Sequence, residues 1–100
     1  MKNLEHKIIN WAAERGIFDK ATSTSQHSKT LEEVNELTIA LMTGNRAEIK
    51  DAIGDICVTL ILQSYMHGWS LEECIESAYD VIKDRKGRMV DGVFVKESAE

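Results

Sequence analysis

The chain has 100 residues, 43% of them hydrophobic, which suffices for one domain with a modest core and excludes two. Twelve Lys and Arg face seventeen Asp and Glu, a formal net charge of −5. That is the wrong balance for a protein that works by neutralising nucleic-acid phosphates, but it suits one that holds a divalent cation if some carboxylates converge. Cys57 and Cys74 sit in apolar stretches with no second pair to suggest a framework or a zinc site, and read as reduced core residues. No apolar stretch follows the basic N-terminus, so no signal peptide is expected. The longest apolar run, residues 56–62, is interrupted by Thr59 and is too short to span a bilayer. These features predict a soluble, cytoplasmic protein with neither nucleic acid nor membrane as a partner.

Proline is absent, and the six glycines fall mostly between periodic segments, which favours helices. The first helix is predicted over residues 4–15, with Leu4, Ile8, Trp11 and Ala12 at helical spacing and Gly16 as its stop. The hydroxyl-rich stretch 21–25 reads as a loop and N-cap. A second helix over 25–43 places Leu31, Val34, Leu37, Thr38 and Leu41 on its core face and ends at Gly44-Asn45. A third, over 47–67, carries Ile49, Ile53, Ile56, Cys57, Leu60 and Ile61. It is apolar nearly all round beyond Gly54, which predicts a subunit interface involving Val58, Ile61 and Leu62. Ser70 and Glu73 form a capping box that opens a fourth helix over 71–84, with Leu71, Cys74, Ile75, Ala78, Val81 and Ile82 inward. Asp91-Gly92 marks a turn, in a small hairpin or a loop.

The chemistry lies in two acidic stripes. On the second helix, Gln26, Lys29, Glu33, Glu36 and Ala40 follow one another in steps of three and four; on the third, Glu48, Asp51, Asp55, Val58 and Leu62 do the same. Folding the pair about Gly44-Asn45 sets Ala40 opposite Glu48, Glu36 opposite Asp51 and Glu33 opposite Asp55. Carboxylates gathered so closely repel unless a cation joins them, and oxygen ligands with no His or Cys on the stripe select Mg²⁺. A solvated acidic face is the competing reading.

At these residues the chain resembles the MazG-type nucleotide pyrophosphohydrolases of the all-α NTP pyrophosphatase group. The shared pattern is Glu-Glu-x-x-Glu, here Glu32-Glu33-Val34-Asn35-Glu36, followed by Ile53-Gly54-Asp55 ahead of an apolar stretch. The resemblance extends to residues 11–16, 26–29 and 79–85. One departure stands out: the Glu expected three residues before Asp55 is Ala52, with Asp51 and Glu48 as replacements.

The resemblance implies an all-α, four-helix bundle-like protomer over residues 1–100, with the acidic site on its central antiparallel hairpin, working as a homodimer or homotetramer. It implies hydrolysis of a nucleoside triphosphate, or dNTP, to monophosphate and pyrophosphate, as in nucleotide-pool house-cleaning. The cofactor is Mg²⁺, with Mn²⁺ as a substitute. Metal ligands are expected among Glu33, Glu36, Asp51, Asp55 and Glu48, and the base that takes a proton from water is Glu36 or Glu32. Lys29, Lys83, Arg85 and Lys86 are candidates for the phosphates, and Trp11, Gln26 and Tyr79 for the base. A narrower dUTPase- or dCTPase-like enzyme, and a helical interaction protein that lost catalysis with the Glu at position 52, are the alternatives.

Overall fold

The computed structural model describes residues 1–97, as five helices followed by a two-stranded antiparallel hairpin. They are α1 (Lys2–Glu14), α2 (Ile17–Lys20), α3 (Ser23–Thr43), α4 (Arg46–Met66), α5 (Leu71–Ile82), β1 (Gly87–Val90) and β2 (Val93–Lys96). The all-α class expected from the sequence is therefore observed. No helix among the described residues is long and apolar enough to cross a membrane.

Local chemistry sets the boundaries. Gly16, at φ 73°, ends α1 and turns the chain into the short α2. Helix α3 begins two residues earlier than predicted, because Thr22 and Ser25 cap each other's free amides. Gly44, at φ 66°, closes α3, and Asn45 opens α4 by accepting from the Glu48 amide. The predicted Ser70–Glu73 capping box is present at the start of α5, which ends two residues short of the expected Asp84. Asp91 and Gly92 both have positive φ, the requirement of a tight two-residue turn, and they join β1 to β2.

The α3–α4 hairpin is the most extensive packing in the molecule, and α1 and α5 each lean on α4. A polar seam fixes its register. Gln26 is buried and donates to the Thr59 carbonyl oxygen at 3.1 Å, and the Thr30 hydroxyl donates to that of Thr59 at 2.9 Å. The Gln63 amide donates to the Ser23 carbonyl at 3.0 Å. Small buried residues, Ala12, Ala40 and Ala52, let the helices approach closely.

Several core expectations are overturned. Leu31, Val34 and Leu41 on α3 are exposed, as are Ile53 on α4 and Ile75, Val81 and Ile82 on α5. Cys57 is exposed and Cys74 only partly covered, and both are free thiols. Ile61 and Leu62, expected at an interface, are instead buried within the chain. The exposed side chains share one cause: the helices form an open arrangement, and among the described residues no second layer covers these apolar stripes.

Candidate active site

The hairpin brings the two acidic stripes to one cleft, with Glu33 beside Asp55 as expected from folding about Gly44-Asn45. Glu33 and Glu36 of α3, with Glu48, Asp51, Ala52 and Asp55 of α4, wall a cleft of about 270 Å³. No Lys or Arg lines it among the described residues. Glu33 is half-buried against Asp55; lost hydration and then the Asp55 charge push its carboxyl above the usual range, with Lys29 opposing.

Glu48 is held in place, because the Asn45 amide donates to its carboxylate at 2.8 Å while its own amide returns to Asn45. This orienting role of Asn45 was missed from sequence, although an Asn three residues before a Glu at a helix start is a readable capping signal. Ala52 is buried in the cleft wall, so the position where the family pattern carries Glu does point at the site.

The other candidates stand elsewhere. Glu32 lies outside the cleft lining and pairs with Lys29 at 2.6 Å, and this hydrogen bond holds the Lys29 ammonium above its ordinary value. Gln26 spends its amide on the α3–α4 seam. Trp11 is partly exposed beneath the Arg15 guanidinium, 4.7 Å from the ring centroid. Tyr79 is exposed on α5, and Lys83, Arg85 and Lys86 are exposed beyond it, away from the cleft lining.

Among the described residues, no three His, Cys, Asp or Glu side chains already stand as a coordination shell. The carboxylates face a common cleft but are spread around it. Drawing them onto one ion takes rotation of the exposed Glu36 and Asp51, and Glu48 joins them only by leaving its hydrogen bond to Asn45. The donor set, five carboxylates with no opposing cation in the wall, is the chemistry a hard divalent ion requires.

A helical chain with such a cleft across a hairpin falls in the class of MazG-like all-α pyrophosphohydrolases, enzymes that hydrolyse phosphoanhydrides. Within that class, the family described as PRA-PH, phosphoribosyl-ATP pyrophosphohydrolase, matches residues 1–81, and the chain belongs to it. The resemblance to MazG-type enzymes thus holds for the class, and PRA-PH is the family matched. The match takes in every cleft carboxylate and stops before the basic run and the hairpin. Neither a curated protein nor a solved structure matches the sequence.

Proposed function

We propose that the chain is a Mg²⁺-dependent pyrophosphohydrolase that cleaves a nucleoside triphosphate, or a nucleotide carrying a triphosphate, to the monophosphate and pyrophosphate. The observation that carries this reading is the convergence of five carboxylates from two antiparallel helices on one cation-free cleft. The family's name makes phosphoribosyl-ATP a substrate to test beside the NTPs and dNTPs.

Glu33, Glu36, Asp51 and Asp55 would hold the metal, with Glu48 at the edge of the set. Bound Mg²⁺, or Mn²⁺ in its place, supplies polarisation of the phosphate oxygens and a more acidic water. The chain's own residues do the rest. Glu36, on the cleft wall, takes the proton as the water oxygen bonds to phosphorus; the anhydride P–O bond breaks, and pyrophosphate leaves with the electron pair. Glu32 is the weaker candidate for base, because it faces Lys29 outside the cleft. Asn45 keeps Glu48 aimed along the α4 wall.

The test is pyrophosphate release from phosphoribosyl-ATP and a panel of NTPs and dNTPs, with Mg²⁺ and with chelator. Metal-dependent release from at least one nucleotide is expected. A folded chain that releases none would favour the reading as a non-catalytic helical interaction protein, for which Ala52 in the cleft wall is the supporting observation.

A further inference from the structure

A cavity of about 560 Å³ lies where α1, the end of α4 and the start of α5 meet, and it shares no lining residue with the acidic cleft. Leu4 and Ile8 of α1 line a separate apolar groove, whereas Glu5, His6 and Ile9 line this cavity. Its volume is in the range of small-molecule sites.

Part of its wall is aromatic. Tyr65, near the end of α4, and Trp69, in the turn that follows, are each about half exposed to solvent. Neither ring stands alone. Phe18 packs against Tyr65 with centroids 4.7 Å apart, and His67 stacks on Trp69 at 5.8 Å and 20°. Two rings braced by neighbours yet open to solvent are a preformed surface for an apolar or cationic group.

The α5 side of the cavity offers acceptors rather than donors. A helix start ordinarily draws anions, because its first amides are free. Here those amides are taken. Glu5 accepts from the Leu71 and Glu72 amides, the Ser70 hydroxyl accepts from the Glu73 amide, and the Glu73 carboxylate accepts from the Ser70 amide. That leaves Glu72 and Glu76, one helical turn apart, with carboxylates that form no ion pair among the described residues. Lys2 is the one Lys or Arg in the lining, against four glutamates. A phosphate or a carboxylate is repelled there, and a strongly hydrated Mg²⁺ gains little from the two rings.

We infer that this cavity binds an organic dication, an aliphatic diamine, with its methylene chain against Trp69 and Tyr65 and its ammonium groups at Glu72 and Glu76. Residues one turn apart on a helix have Cβ atoms about 5–6 Å from each other, a spacing that suits two ammonium groups joined by a short chain. The rings cover the methylenes and attract the adjoining positive charge. The ligand then bridges α1, α4 and α5. This binding site is independent of the pyrophosphohydrolase reading.

Two-dimensional ¹H–¹⁵N spectra of the full chain, titrated with putrescine at an ionic strength held constant by NaCl, test the inference. The Trp69 indole and the amides of Gly68, Ser70 and Glu72 are expected to shift saturably. Glu76→Gln and Trp69→Ala are each expected to weaken binding about threefold or more, with helicity intact. The absence of saturable shifts, or binding by either variant as tight as by wild type, overturns the inference. So does a Trp69 indole that responds equally to MgCl₂, which would make the site a plain cluster of carboxylates. Shifts centred on Glu36, Asp51 and Asp55 instead would put the amine in the acidic cleft and overturn it as well. The spectra read binding without catalysis, so failure here leaves the catalytic reading standing, and failure of the catalytic reading leaves this site standing.

Discussion

Glu5 offers the sharpest energetic test of the fold. It is the one acidic side chain buried among the described residues, and it leaves its own helix to cap another: its carboxylate accepts from the Leu71 amide at 2.7 Å and the Glu72 amide at 3.1 Å. Both amides are orphan donors of the first turn of α5. Glu5→Ala strands them. Hydrogen bonds to a charged acceptor contribute about 1.5–3 kcal/mol each. The Glu72 amide is only partly buried and water can replace part of its bond, so the sum is about 3 kcal/mol rather than twice that. For a domain of this length that is a fall in Tm of roughly 15 °C. Glu5→Gln keeps one acceptor oxygen and should lose about half as much. Thermal unfolding by far-ultraviolet circular dichroism, at one fixed protein concentration because association shifts Tm, reads the difference. A Glu5→Ala variant within about 0.5 kcal/mol of wild type would refute the claim that this carboxylate joins α1 to α5.

Three further outcomes concern the cleft. Asp55→Asn should abolish Mg²⁺-dependent hydrolysis yet leave the metal-free protein as stable as wild type or more so, since it relieves repulsion with Glu33; a clear drop in the urea midpoint would contradict this. Asp51→Asn should cost more activity than Glu48→Gln, because Glu48 is already engaged by Asn45, and the reverse order in steady-state rates would put the working register one turn away. Glu33 sets a pH dependence. Its carboxyl is raised in the folded state, so its ionisation costs stability at neutral pH, and that cost is removed as pH falls through the raised value toward the ordinary carboxylate value. In chelator, Glu33→Gln should flatten the stability curve across that mildly acidic window, and parallel curves for variant and wild type would count against it.

The parts of this architecture that were legible in the sequence are those written in local chemistry. The Ser70–Glu73 box, the glycine stops and the Asp91-Gly92 turn each depend on neighbours a few residues away, and all are present. The pairing of Glu33 with Asp55 was legible because both stripes carry carboxylates at matching helical spacing, whereas the bonds that hold the two helices together come from the polar Gln26, Thr30, Thr59 and Gln63. What was not legible depends on distance. Glu5 looks like any surface acid until Leu71 arrives from 66 positions away. Helix α2, four residues long, is too short to show a period. Apolar spacing could not say which stripe would find a cover: Leu31, Val34 and Leu41 were read as core and are exposed, while the polar Gln26 and Thr59 occupy the seam. Tyr79, Lys83, Arg85 and Lys86 do not line the cleft of their own chain, and no local pattern says where the segment beyond α5 will lie.

The central claim is that the carboxylates across the α3–α4 hairpin hold a divalent cation and direct water at a phosphoanhydride. Pyrophosphate release in Mg²⁺, compared between wild type and Glu36→Gln, tests it most directly. Wild type should release pyrophosphate, and the variant should lose about a hundredfold or more of that rate with helicity unchanged. Equal rates in the two proteins would contradict it.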